Sequence, residues 1–159
     1  MKFNTQDGQA FEIADETLKY FTKVCKTNVE TLNLTSINSR IMKKVVQYCE
    51  IHQEDDIIPE IQKPLLSNNL YEIVGFKDAE YITNLEFEEL LHIIKAAELL
   101  GINTLVDLSC AQFAIKIRGK SPEQIKSYLS SKMHKTDEEF QRQRDGENMA
   151  KIQQMQSSD

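Results

Sequence analysis

Tryptophan is missing altogether from this 159-residue chain, and glycine (5), proline (3) and cysteine (3) are scarce. So few glycines leave no room for a Gly-rich phosphate loop. Cys25, Cys49 and Cys110 are odd in number and widely spaced, which argues against a disulfide framework and for a reducing compartment. Cys49 and His52 are a thiol and an imidazole close together, but a zinc site needs about four such ligands and no second pair exists. No metal and no cofactor are expected, and both residues read as ordinary helix positions. No apolar run approaches the roughly 20 residues of a bilayer crossing. The opening MKFNTQDGQAF turns polar after Phe3, without the apolar core of a secretion signal. The expected location is cytoplasmic, nuclear or both, with no membrane partner.

Cations are in the minority, 19 against 25 acidic residues, for a net charge of −6. An acidic surface repels phosphate backbones, so nucleic acid is not an expected ligand. Lys43-Lys44 reads as a solvated helix face. The Lys116 to Lys120 cluster sits at a helix end, where cations oppose the negative pole of the dipole. Convergent chemistry is lacking too. His52, His92 and His134 fall on separate elements, and there is no nucleophile elbow. Nothing nominates a catalytic set, so a binding module is the simpler reading than an enzyme.

What is present is a globular composition, 40% hydrophobic and 28% charged, with strong local signals. Asp7-Gly8 between KFN and AFEI predicts a β-hairpin with Phe3, Phe11 and Ile13 on its buried face. Asp15 is placed to cap a helix carrying Leu18, Phe21 and Val24 or Cys25. Leu32 and Leu34 alternate with polar neighbours as in a short strand. Ser36 or Asn38 then caps a helix with Ile41, Val45, Tyr48 and Cys49 on one face. Residues 53–74 read as a surface connector, broken by Pro59 and Pro64, with Ile57-Ile58 and Leu65-Leu66 pinning it to the core.

The C-terminal half reads as helical. Asn84 is placed to cap a helix running to about Leu100, stopped by Gly101. Phe87, Leu90, Leu91 and Ile94 form one face and Ile93, Ala97 and Leu100 widen it. A helix apolar nearly all round is deeply buried or has a second partner. Asn103 is placed to cap the next helix, which carries Leu105, Val106, Leu108, Phe113 and Ile117 and ends at Gly119. Ser121-Pro122-Glu123-Gln124 combines an N-cap, Pro at the first helical position and Gln at the reciprocal capping position. Thr136-Asp137-Glu138-Glu139 is another capping box. The helix after it is mostly polar, with Phe140, Met149, Ile152 and Met155 as its apolar residues and Gly146 as an interruption. Such a segment gains little from its own domain, and it reads either as a frayed tail or as a segment that orders when a partner covers its apolar residues.

Several of these stretches together resemble the S-phase kinase-associated (Skp-type) adaptors of SCF ubiquitin ligases. The hairpin with Phe11-Glu12-Ile13, the segment Leu34 to His52, and Asp78-Ala79-Glu80-Tyr81 before the long helix all carry the resemblance. So do Ala96-Ala97, Leu105-Val106-Asp107, Cys110, Arg118 to Glu123, Thr136 to Glu139 and Glu147-Asn148. The resemblance implies an α+β, mostly helical chain: a BTB/POZ fold with two extra C-terminal helices. Residues 1–118 would be the BTB/POZ-like core and 119–159 a helical F-box-binding extension. It implies a non-catalytic adaptor that links F-box substrate receptors to a cullin scaffold and raises effective concentration near the ubiquitin donor.

Carried over by position, the F-box surface would comprise Leu90, Ile94, Val106, Cys110, Phe113 and Ile117, with Phe140 and Met149 of the tail closing over the partner. The cullin-facing positions would be Glu98 and Leu99, where the family has Asn-Tyr. That exchange loses an aromatic side chain of the type hot spots favour and adds a charge. The family's tail Trp is absent, with Met149 and Ala150 in its place, and its acidic loop is shortened. A cullin-independent scaffold, binding F-box proteins or associating with itself as a homodimer when free, is the second expectation. An elongin-C-like adaptor is disfavoured because two further helices are predicted after Ser121-Pro122.

Overall fold

The computed structural model describes residues 1–24 and 26–130, together with Gly146, Met149, Ile152 and Gln153. The chain divides into two compact units, Met1–Arg118 and Gly119–Asp159. Cys25 and the predicted capping box at Thr136 lie outside the described residues, as does Phe140.

The first unit begins with a small sheet of order β2-β1-β3. Strand β1 (Lys2–Asn4) pairs antiparallel with β2 (Ala10–Glu12), Phe3 opposite Phe11, and parallel with β3 (Thr31–Asn33), Phe3 opposite Leu32. Gly8 closes the hairpin with φ +79°, a left-handed value that glycine adopts without steric cost. Three-residue strands hold few ladder bonds, so side-chain burial must fix the sheet. Phe3 is fully enclosed, its ring centre 5.7 Å from that of the equally buried Phe21. Phe11, expected inside, is only half-buried.

Helix α1 (Asp15–Leu18) is a single turn, and its N-cap is Ala14 rather than Asp15, which lies inside the first turn. Helix α2 (Ser39–Ile51) starts at Asn38, whose Oδ1 accepts the Ile41 N–H at 2.9 Å. That cap contributes about 1 kcal/mol. Ile41, Met42, Val45, Tyr48 and Cys49 are buried along its inner face. The Asp7 carboxylate adds a tie the sequence did not signal. It accepts the Ser39 N–H at 3.0 Å and hydroxyls from Ser39 at 2.5 Å and Thr5 at 2.6 Å, joining the hairpin turn to the start of α2.

The connector that follows has a short 3-10 turn, Leu70–Glu72, with Leu70 buried. Its apolar pairs split. Ile58 and Leu65 are half-buried, while Ile57 and Leu66 are 84% and 86% exposed. Extended backbone alternates its side chains, so each pair pins the loop with one member only.

Helix α3 (Phe76–Thr83) was not anticipated from sequence, and it buries Ala79, Tyr81 and Ile82. It ends at Asn84, so Asn84 is not the N-cap of the long helix. That role falls to Glu86, in a reciprocal capping box with Glu89. The Glu86 N–H donates to Glu89 Oε2 at 3.1 Å, and Arg40 pairs with the largely buried Glu89 at 2.7 Å. Helix α4 (Phe87–Leu100) stops at Gly101, φ +77°, and α5 (Asn103–Ile117) follows at once. The N-cap of α5 is Ile102, not Asn103, and no side chain caps it.

Helix α4 packs along α5 and against α2. Leu90, Ile93, Leu100 and Leu105 have no exposed surface. Each such side chain contributes about 1.5–3 kcal/mol through removal from water. Central α4 is buried by its own unit, which answers most of the apolar excess noted in its sequence.

In the second unit, residues 122–130 are helical. The Ser121 N–H donates to Gln124 Oε1 at 2.9 Å and the Gln124 N–H to Ser121 Oγ at 3.2 Å, the reciprocal cap read from the sequence. Further along, Gly146, Met149, Ile152 and Gln153 are also helical.

Candidate docking surface

Helix α5 sorts its residues by angle. Leu105, Leu108, Ser109 and Gln112 face inward and are buried. Val106, Cys110, Phe113 and Ile117 recur at helical spacing on another face, half-buried except for the exposed Cys110. At 100° per residue these four fall within a narrow stripe. Phe113 is steadied by the buried Phe87, stacked with ring centres 5.9 Å apart. Ile94 on α4 is likewise half-buried. Leu90 departs from the expected set. It is 0% exposed and belongs to the core, so it offers an incoming chain no surface. In the second unit, Met149 is 69% exposed and Ile152 is 54% exposed.

Glu98 and Leu99 lie at the exposed end of α4. Lys23 reaches Glu98 twice, its Nζ 2.7 Å from Oε1 and 2.8 Å from the backbone carbonyl. Both side chains are more than half exposed, so water screens the pair and it contributes at most about 1 kcal/mol. Leu99 is 49% exposed. Burial pushes the Cys110 thiol up, and the charges of Asp107 and Glu98 push it the same way while Lys63 opposes them.

Arg118 has a structural role that the sequence does not signal, since by position it reads only as a cation opposing a helix dipole. Its backbone leaves the helix, and its guanidinium donates to Leu65 O at 2.7 Å, Ser67 O at 3.2 Å and Asn68 Oδ1 at 2.8 Å. Lys63 adds a contact to Asp107 of α5 at 3.1 Å. Together they strap the connector to the C-terminal half of α5. A fork of N–H donors meeting bare carbonyls is the only local signal, and carbonyls are invisible in sequence.

No group of three or more His, Cys, Asp or Glu placed to hold a metal ion occurs among the described residues. Among them, no helix is long and apolar enough to cross a membrane. His92 sits half-buried on α4, 3.9 Å from Glu88, its pKa lowered by burial and by Lys95.

A small mixed sheet backed by helices, followed by a separate helical unit, makes this a mostly helical α+β protein of the POZ type with a C-terminal helical domain. Residues 1–54 match the Skp1 family tetramerisation domain and residues 103–146 the Skp1 family dimerisation domain. The S-phase kinase-associated protein 1 homolog of Tetrahymena thermophila is 33% identical over 132 residues, covering 79% of this chain and 78% of that protein. SKP1-like protein 11 of Arabidopsis thaliana is 33% identical over 141 residues, 85% of this chain and 86% of that protein. A Skp1-related protein of Caenorhabditis elegans is 32% identical over 113 residues, 71% of this chain and 62% of that protein. The chain belongs to the Skp1 family.

Proposed function

We propose that this protein is a non-catalytic adaptor of an SCF-type ubiquitin ligase, holding an F-box receptor on one surface and a cullin on another. The observation that carries the reading is the stripe of Val106, Cys110, Phe113 and Ile117, apolar and incompletely covered, on a helix that lies within the stretch matching the Skp1 family dimerisation domain. Ile94 on α4 is half-buried as well, and in the second unit Met149 is exposed. Glu98 and Leu99 are the proposed cullin-facing pair. Cys49 and Cys110, free thiols among the described residues, suit a reducing cytoplasm or nucleus as the working compartment.

The physical logic is asymmetric burial. A handful of apolar side chains, each contributing about 1.5–3 kcal/mol when covered, outweighs the cost of association. The same side chains contribute less to the free chain because water already reaches them.

Cys110→Asp tests this directly. Cys110 is exposed, so a carboxylate there costs the free protein only the water-screened repulsion of Asp107 and Glu98. Under an F-box helix it would be desolvated and unpaired, a loss of several kcal/mol. Calorimetric titration with an F-box peptide should show at least about a hundredfold weaker binding, while the thermal midpoint of the free protein falls by no more than about 2–4 °C. Unaltered affinity moves the interface off α5. A cullin N-terminal domain added to the wild-type complex should co-elute as a three-part assembly. F-box binding without cullin would leave the self-standing scaffold as the surviving reading.

A further inference from the structure

His52 stands where four segments meet. It closes α2, and its side chain is only 6% exposed. Its Nδ1 lies 2.7 Å from Asp55 of the connector and its Nε2 lies 2.5 Å from Asp78 of α3. Its carbonyl accepts the Tyr20 hydroxyl at 2.5 Å, from the stretch after α1. The Tyr48 ring rests 4.7 Å away, centre to centre, and Tyr81 of α3 packs on Tyr48 in turn.

Proton arithmetic decides what this cluster is. A neutral imidazole carries one N–H and one lone pair, whereas an imidazolium carries two N–H groups. Two carboxylates at hydrogen-bond distance from the two nitrogens are both satisfied only by the imidazolium. When one proton leaves, one carboxylate must face a lone pair. The Asp78 side chain is 15% exposed and the Asp55 side chain 42%, so Asp55 is the one that water can take over. The end of α2 also favours a cation, since unpaired carbonyls converge there.

We propose that His52 is a proton-operated latch: charged, it fastens the start of the connector and α3 to the end of α2; uncharged, it keeps Asp78 and releases Asp55, freeing the connector. Asp55 holds the first bend of that connector, where its own N–H donates to His52 O at 3.0 Å. The connector also walls a pocket of about 230 Å³ with Tyr48, Asp78, Thr104 and Asp107, so release would open that space.

Other titrating groups around the ring do not compete. Burial pushes the Tyr48 and Tyr81 phenols far above their ordinary value and the Cys49 thiol to about 12, so all three stay neutral throughout the neutral range. Lys19 points to the Gln53 carbonyl, and Asp107 lies on the α5 wall of the pocket. For His52 itself burial opposes the charge, but the hydrogen bonds and fields of Asp78 and Asp55 outweigh it, so its pKa is raised above 6.5. A raised folded value means the latch contributes fully below the unfolded value of 6.5 and is lost as pH rises through the folded one.

Ring-nitrogen NMR on the full chain reads the protonation state. Both His52 nitrogens should carry protons at pH 6.5, with a midpoint above that value. A single N–H at that pH, or a midpoint at or below it, overturns the proposal. Hydrogen exchange, corrected for intrinsic rates, reads the release. Protection of the Asp55 amide should fall about fivefold or more between about pH 6 and about pH 9, while α4 amides hold steady. His52→Gln, with no charge to lose, should show low and pH-independent protection at the same amide. A flat profile in the wild type, or an equal fall in the variant, refutes it. If the variant does not fold, the two wild-type readings decide.

Discussion

Replacing Gly101 with alanine isolates the close approach on which the end of α4 depends. Gly101 has φ +77°, and a Cβ built there would lie 2.6 Å from Lys23 N, 2.7 Å from Lys23 Cγ and 2.7 Å from Thr22 Oγ1. Two costs follow. The left-handed conformation costs a side-chain-bearing residue about 1–2 kcal/mol. The overlap involves backbone, so the stretch at Thr22 and Lys23 must retreat. Retreat breaks the bond from Thr22 Oγ1 to Gly101 O, 2.6 Å, and the weaker one from Lys23 N to Leu100 O, 3.4 Å. Each contributes about 0.5–1.5 kcal/mol. Alanine returns about 0.4–1 kcal/mol by stiffening the unfolded chain. The net loss is about 3 kcal/mol, or about 6–12 °C in thermal midpoint for a chain of this length. Gly8 and Gly119 have φ +79° each and nothing within 4 Å of a built Cβ, so alanine there carries the conformational cost alone, about 1 kcal/mol. Urea denaturation of all three variants gives the comparison. Equal losses at the three positions would mean the contact with Lys23 and Thr22 contributes nothing, and the reasoning fails.

Two other outcomes follow from named contacts. Arg118→Ala removes the guanidinium bonds to Leu65, Ser67 and Asn68, so chymotryptic cleavage at the exposed Leu66 should speed up about tenfold, and an unchanged rate would show the strap is held otherwise. Burial pushes the Asp7 carboxyl up, but bonds from Ser39 and Thr5 outweigh this and lower its pKa below 3.8, so its contribution is present above pH 3.8 and lost as pH falls through the lower folded value. Asp7→Asn should flatten that part of the acid denaturation curve, and a variant curve parallel to wild type would remove Asp7 from the acid response.

Legibility in the sequence followed the range of the interaction. The hairpin at Asp7-Gly8, the Gly101 stop and the Ser121 to Gln124 box are local, with every partner within a few residues, and each is legible in the residues alone, whereas the cap of α2 is legible only as Ser36 or Asn38, of which the fold uses Asn38. Caps assigned one element too far failed for a local reason too. Asn84 looked like a start because nothing marked α3 before it. That helix has Gly75 as its N-cap with no side-chain cap bond and only eight residues, so its stability comes from burying Tyr81 and Ile82. Val106, Cys110, Phe113 and Ile117 are implied by the family resemblance, and the fold places them at helical spacing along one face of α5. Leu90 shared the same apolar signature, and only packing distinguishes a core leucine from a docking one. Long-range pairs stayed hidden. Neither Arg118 with the 65–68 backbone nor His52 with Asp78 leaves any pattern in the order of residues.

The stretch from Lys19 to Val24 has almost no regular structure, yet it behaves like a seam. Tyr20 sews it to the end of α2 through His52, and Thr22 sews it to the end of α4 through Gly101, six stations of chain holding two helices that lie far apart in sequence. A seam of that kind tolerates substitution between stitches but not a change of length. One added residue would put both stitches out of step, whereas the outward-facing bend around Ile57 could lengthen freely. Length variation among natural variants of this architecture should therefore gather in the connector and spare the seam.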